Sequence, residues 1–272
     1  MEFFGCAGYG RGEAAARALF DGAIVLTPGL SFANLGQLTL DLLINSVLTH
    51  DEMQATLVGH LFSKHVLPLA GSPAFATQST GLCLNLEVYL LTHPRPEQSK
   101  MHKIVFVQQR ASVIPGHAAA FCNDLVAWAA ASGASQVVVL SGADNMLRPD
   151  PSMHDQRIQW TATANADIAN TAFLAHLAPL ECTTTQDDLS VWASVRGAGL
   201  APLVLTTAAP TSVAALAIVM YCAEGNNVPD AVYFASCVAQ YLSFQTLPTF
   251  KLVVPPSWNQ LFGRAPAMAL YS

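Results

Sequence analysis

The residues best able to do chemistry in this chain are few and scattered. Among its eight histidines, His60 and His65 lie five apart, the wrong spacing for two ligands on one helical face, so no metal centre is expected. Asp187 and Asp188 are adjacent. Neighbours on a strand point to opposite faces, so the pair reads as a solvated strand entry rather than an acid–base dyad. The stretch from Thr27 to Gln37, TPGLSFANLGQ, has the strand–turn–helix form of a phosphate cradle. It lacks both G-x-G-x-x-G and G-x-x-x-x-G-K-[ST] and has no lysine nearby, so it reads as a tight turn opening a helix. No G-x-S-x-G elbow occurs. These residues define no catalytic constellation, and neither an enzyme nor a cofactor is expected from them.

The end of the chain offers recognition chemistry instead. The last residues are Leu270, Tyr271 and Ser272, where chain ends are usually solvated and frayed. A large aliphatic and an aromatic there either fold back onto the body or insert into something else. Inserted, Leu270 would bury an aliphatic group worth up to about 2 kcal/mol. Tyr271 would be a rigid aromatic anchor whose hydroxyl seeks a partner, and the terminal carboxylate would enter a capture site. Nine residues follow Gly263, a reach of at most about 30 Å. Pro266 and the small alanines of this tail limit its ordering cost.

Composition narrows the rest. Only 11% of the 272 residues are charged and 52% are apolar, so the chain can bury a large core and still present an apolar face to a partner. The net charge is −6 and no Lys/Arg cluster exists, which argues against nucleic acid. Cysteines stand at 6, 83, 122, 182, 222 and 237 with no C-x-x-C pair. That pattern fits reduced thiols in the cytosol or nucleus. The first 20 residues make a poor secretory signal. The most membrane-like run, SVAALAIVMYCA over 212–223, is too short to span a bilayer, so no membrane association is expected.

The elements that must position these residues alternate between strand and helix. Strands are expected over 22–30, 55–62, 82–91, 103–110 and 135–142, and helices over 34–48 and 117–133. Asn34 can cap the first of these helices, with Gln37 where a capping-box partner would stand. Gly133 suits the C-terminal cap of the second. Residues 143–186 are irregular, and the stretch over 143–157 reads as an exposed loop. Residues 187–200 suggest one more strand ending in a Gly-rich turn. Val213, Leu216, Ala217, Met220 and Tyr221 fall on one helical stripe, so 211–224 reads as a buried helix, started by Thr211 or Ser212. Gly225 would cap that helix, Asn227 would cap a further one to about Leu242, and Pro229 and Asp230 suit its first turn. An extended Pro-Pro segment and a short turn carrying Trp258 precede Gly263. Strand, helix and strand at this spacing make βαβ units. The expected fold is α/β, a three-layer sandwich around a mostly parallel or mixed sheet. It would be one domain over 1–263, followed by a tail over 264–272.

Three stretches resemble the proteasome assembly chaperone 2 family. The first is LTPGLSFANLGQLTLDLLINSVL (26–48), which keeps Asn34, Gly36 and Gln37 but has Ala33 where a glycine often stands. The second is FCNDLVAWAAASGASQVVVLSGADNMLRPD (121–150). The third joins EGNNVPDA (224–231), with Gly225, Asn227, Pro229 and Asp230, to VPPSWNQLFG (254–263), with Trp258, Phe262 and Gly263. The first 20 residues and about 150–200 depart from the pattern. The resemblance implies a non-catalytic α/β protein with a nucleoside-phosphorylase-like fold. It implies pairing with a related first assembly chaperone, docking on the proteasome α-subunit ring and help in assembling that ring. Leu270-Tyr271-Ser272 matches the hydrophobic-Tyr-X ending of proteasome activators and some assembly chaperones. The implied target is a lysine-bearing pocket between neighbouring α subunits. Two other readings remain, a nucleoside phosphorylase-class enzyme and a homo-oligomeric structural protein. A phosphorylase needs phosphate-binding arginines in glycine-bearing strand-end loops, and the few arginines here do not sit in such loops.

Overall fold

In chain order the elements are β1 (Glu2–Gly5), α1 (Gly12–Phe20), β2 (Ile24–Pro28), α2 (Leu35–Leu48), β3 (Gln54–Phe62), β4 (Ala70–Gly71) and β5 (Cys83–Leu84). They continue with β6 (Leu86–Pro94), β7 (Met101–Gln109), α3 (Ala118–Ala131), β8 (Gln136–Asp144), β9 (Ile158–Ala162) and α4 (Ala172–Ala175). The last are β10 (Ala178–Pro179), α5 (Ala201–Ala208), β11 (Ala214–Cys222) and α6 (Val228–Tyr241). The structure, a computed structural model, describes residues 1–77, 81–94, 101–148, 157–166, 172–180, 191–244, 247 and 249–260.

Among the described residues nine strands form one sheet in the order β1-β3-β6-β7-β2-β8-β11-β9-β10, and β4 and β5 pair in a separate ribbon. The centre is parallel: β7, β2, β8 and β11 run the same way. Strands β6, β3 and β1 extend it antiparallel on one side. On the other side β9 pairs antiparallel with β11, and β10 lies parallel to β9. Successive side chains on a strand face opposite ways, which splits the core in two. On β8, Val137 and Val139 pack toward Phe20 of α1, Phe121 of α3 and Val204 of α5. Val138 and Leu140 pack toward Leu43 of α2 and Phe234 of α6. The result is the expected three-layer sandwich, helices on both faces of a mixed sheet.

Several local expectations give way to tertiary context. Residues 214–222 form strand β11 instead of a helix, and all nine are buried. With both faces covered, a strand needs no alternation, so an apolar run carries no period to separate strand from helix. Thr211 serves as a turn into this strand, its Oγ1 accepting from the Val213 N–H at 3.2 Å. The stretch expected as a strand before residue 200 contains a short 3-10 turn at Val191–Ser194, followed by helix α5; positions 187–190 lie outside the described residues. The irregular region after 143 contributes β9, α4 and β10. Gly133 does close α3, with φ +75°.

Candidate functional site

The carboxyl ends of parallel strands are where open α/β sheets bind ligands. Here the ends of β2 and β8 are occupied by the protein's own backbone. Phe32, just past β2, donates its N–H to the Gly197 carbonyl at 2.8 Å, and Asp144 at the end of β8 donates to the Arg196 carbonyl at 2.8 Å. The Ser141 hydroxyl donates to the Ala198 carbonyl at 2.7 Å. Leu200 donates its N–H to the Gly29 carbonyl. A Cβ on Gly199, which has φ +60°, would collide with the carbonyl oxygens of Gly29 and Leu30. Segment 195–200 thus lies directly against the strand ends, close enough that only glycine fits at 199.

The β2–α2 turn is shaped by the same contact. Gly29 donates its N–H to Leu140 O at 2.8 Å, and Gly142 donates to Ser31 Oγ at 2.7 Å. A Cβ at Gly36 would run into Leu140 O, so the glycine lets α2 close onto β8. Asn34 stands at the helix start with φ +52° and makes no side-chain cap bond. Gln37 is no capping-box partner either: its Nε2 donates to the Gln109 carbonyl at 3.2 Å, and its own carbonyl accepts from Gln108 Nε2 at 3.0 Å. Gln37 thus ties α2 to the end of β7.

A buried ionic cluster lies beside this junction. Arg110 donates to both oxygens of Asp41, at 2.9 and 3.3 Å, and to Glu87 Oε2 at 3.3 Å. Gln108 Nε2 donates to Asp41 at 2.7 Å and the Tyr89 hydroxyl to Glu87 at 3.1 Å. The guanidinium lies 5.2 Å over the Phe75 ring. Burial pushes the Glu87 carboxyl up, against the pull of Arg110. Burial would lower the Arg110 value, but Asp41 and Glu87 more than offset it and hold the guanidinium charged. Every charge here faces an opposite charge, which fits a structural tie between α2, β6 and β7.

The EGNNVPDA part of the third stretch is likewise bonded within the fold. Asn227 does not cap α6 through its side chain; its Nδ2 donates to the Ala223 carbonyl at 2.8 Å and to Asp230 at 3.2 Å. The side-chain bond to the α6 start comes from Asn226, whose Oδ1 accepts from Val228 N–H. Pro229 and Asp230 occupy the first turn as expected. Asp230 pairs with Arg157 just before β9, and Arg157 lies 5.8 Å over the Tyr233 ring. Gly225 caps no helix, because none precedes it; its φ is +142° in the turn between β11 and α6.

The other part of the third stretch, as far as residue 260, belongs to a C-terminal strap. Asn45 and Ser46, both buried in α2, hold Val253: Asn45 Nδ2 donates to Val253 O at 2.9 Å, and Val253 N–H donates to Ser46 Oγ at 2.8 Å. Trp258 sits on a short 3-10 turn, Pro256–Gln260, and is buried against the α2–α6 layer. Phe262, Gly263, Leu270, Tyr271 and Ser272 lie outside the described residues, as do Asp187, Asp188 and Cys182. Sequence reasoning missed the strap clasp, the seal over 195–200 and the Arg110 cluster; the one available signal for the clasp is the Asn45-Ser46 pair among the apolar residues of α2.

His60 lies on β3, its imidazole value lowered by burial. His65 meets His117 ring to ring, Nδ1 to Nδ1 at 2.8 Å, and stands 3.5 Å from Asp124. Among the described residues no group of three His, Cys, Asp or Glu side chains is placed to hold a metal. The five described cysteines are free. Burial pushes Cys122 up to about 12 and Cys222 up to about 11, which keeps both as inert thiols. No helix among the described residues is long and apolar enough to cross a membrane.

Helices on both faces of a mixed sheet define a three-layer α/β protein. The profile of the PAC2 family matches residues 25–244, and the chain belongs to that family. It is 26% identical over 265 residues to a Bos taurus protein called proteasome assembly chaperone 2, covering 92% of this chain and 95% of that one. A Nematostella vectensis protein of the same name is 29% identical over 224 residues, covering 78% of this chain and 86% of its own length. Among solved structures, Pyrococcus furiosus PbaA, described as an archaeal homolog of proteasome-assembly chaperone, superposes with a TM-score of 0.55. It is 10% identical, over 89% of this chain and 88% of PbaA. Pyrococcus furiosus PbaB, described as an archaeal proteasome activator, gives 0.53 at 12% identity, over 83% and 85%. At such identities these structures speak for the fold alone.

Proposed function

We propose that this protein is a non-catalytic proteasome assembly chaperone that acts by covering and anchoring protein surfaces. The observation that carries this reading is the match to a protein named proteasome assembly chaperone 2, over 92% of this chain and 95% of the relative. The contacts of 195–200 with the ends of β2 and β8 support it, because backbone lies there where such sheets commonly bind ligands. In this reading the chain pairs with a related first chaperone and binds the α-subunit ring of the 20S core particle. The terminus Leu270-Tyr271-Ser272 enters a pocket between neighbouring α subunits, its carboxylate meeting a lysine there. A second tail on the partner chaperone adds avidity. The reduced thiols fit work in the cytosol and nucleus.

The test is co-expression with the first chaperone and α subunits, followed by affinity capture. The full chain is expected to capture both. The chain lacking residues 270–272 should keep its chaperone partner and lose most ring binding. Unchanged ring capture by the shortened chain removes the tail from the mechanism. Failure of the full chain to capture any α subunit removes the chaperone assignment.

A further inference from the structure

We propose that the cleft between α1 and α3 is a binding site of its own, which receives a lysine- or arginine-bearing segment of a partner polypeptide. The site is separate from the chain terminus, and the proposal does not depend on the tail-docking reading above.

The cleft has a volume of about 400 Å³, within the range of ligand-binding clefts. Helix α3 lines it with Asp124, Ala127, Trp128 and Ala131, and α1 lines it with Glu13 and Ala16. The α3 positions recur at three and four residues, so they share one helical face. From 124 to 131 that face rises about 10 Å, the length of about three residues of extended chain. Alanine at 16, 127 and 131 is what leaves the space open between the two helices.

The bottom and the rim of the cleft ask for different chemistry. Trp128 is only 6% exposed, and its ring is held by an edge contact with Phe20, centroids 5.7 Å apart. Its Nε1 is buried and has no hydrogen-bond partner among the described residues. An indole N–H is a donor only, and a buried donor left unpaired is costly. The bottom therefore calls for an acceptor, such as a main-chain carbonyl.

The rim calls for a cation. No lysine or arginine occurs among the described residues that line the cleft, while Glu2, Glu13 and Asp124 do. Glu2 is already paired with Arg11 at 2.9 Å. Glu13 is exposed in the first turn of α1. Asp124 is 37% exposed and stands 3.7 Å from the Met1 amino group and 3.5 Å from His65 Nε2, both longer than a good hydrogen bond. A polypeptide segment supplies both missing partners at once. Its carbonyl accepts from Trp128, its aliphatic stem lies between the alanines, and its ammonium or guanidinium meets Glu13 and Asp124 at the rim.

The experiment is an NMR titration of the full chain, read at the indole N–H resonance of Trp128, which Trp128→Phe assigns by its loss. The probes are N-acetylated, C-amidated Ala-Arg-Ala, the same peptide with norleucine in place of arginine, and spermidine. The arginine peptide is expected to shift the resonance saturably. Glu13→Gln should weaken that binding about 3-fold, the size of one exposed ion pair, and the norleucine peptide should bind more weakly by at least as much. Spermidine carries charge but no carbonyl, and should leave the resonance in place. Equal binding of the two peptides, or no shift with either, overturns the proposal. A shift with spermidine as large as with the arginine peptide would make the cleft a polyamine site and overturns the peptide as its occupant. Ala127→Leu, at an exposed position of α3, fills the cleft and should abolish peptide binding. Native affinity in that variant would put the peptide elsewhere, and where Trp128→Phe fails to fold this comparison decides, read by the indole resonances together.

Discussion

Asn45 donates its side-chain amide to the carbonyl oxygen of Val253, 2.9 Å away and 208 residues further along the chain. The same side chain accepts from Ala76, so one buried amide joins α2, the segment after the β4 strand and the C-terminal strap. Asn45→Ala leaves the Ala76 N–H without its partner, while solvent can reach the half-exposed strap at Val253. The expected cost is about 2 kcal/mol, a fall in Tm of about 5 °C for a chain of this size. Thermal unfolding of the purified variant measures it, and a Tm within a degree of the native protein would show that the amide contributes nothing.

Ala33 is held at φ +58°, ψ +16°, a left-handed conformation that β-carbons resist. The strain is imposed by the Gly29–Leu140 and Ser31–Gly142 hydrogen bonds on either side of the turn. Ala33→Gly should therefore stabilise the protein by about 1 kcal/mol without altering partner binding. A denaturant midpoint that stays put or falls, at constant slope, would mean that the strain is already relieved by packing.

How much of this was legible in the sequence depends on whether the deciding interaction is local. Helix α6 was readable because Pro229 and Asp230 start it and its apolar stripe recurs at helical spacing. The α2 boundaries were right for the wrong reason: Asn34 makes no cap bond, and the helix start is set by Gly36 fitting under Leu140 O. Strand β11 was misread because covered strands and buried helices are both continuously apolar, and only pairing with β8 and β9 decides. The three bonds that seal the strand ends through Gly197, Ala198 and Arg196 join residues far apart in the chain, which no spacing rule detects.

Gly36 and Gly225 both belong to family-like motifs, yet for different reasons, and substitution should separate them. At Gly36 an added methyl meets the Leu140 carbonyl in a close-packed layer, so α2 must lift from β8. Gly36→Ala is expected to cost about 3 kcal/mol or more. At Gly225 nothing lies within contact range of an added Cβ, and only the φ of +142° resists it. Gly225→Ala should cost about 1–2 kcal/mol. Equal losses in chemical denaturation would contradict the steric account of Gly36.

The Asp41–Arg110–Glu87 cluster makes stability depend on pH in a stated direction. Burial raises the Glu87 value above that of the unfolded chain, so the native state binds more protons in the window between the two. Its contribution to stability is complete below about pH 4.3, the ordinary glutamate value, and is lost as pH rises through the raised one. Glu87→Gln keeps an oxygen for Arg110 and Tyr89 while removing the charge. It should flatten that part of the stability profile and leave neutral-pH stability within about 1 kcal/mol of native. Arg110→Ala is the opposite case, since it leaves two buried carboxylates facing each other across α2 and β6. It should cost about 3 kcal/mol or more at neutral pH, and recover partly on acidification as Glu87 takes up its proton. Urea titrations from pH 4 to 8 on the three proteins decide the matter. A Glu87→Gln profile that keeps the native slope would place the titration in another group.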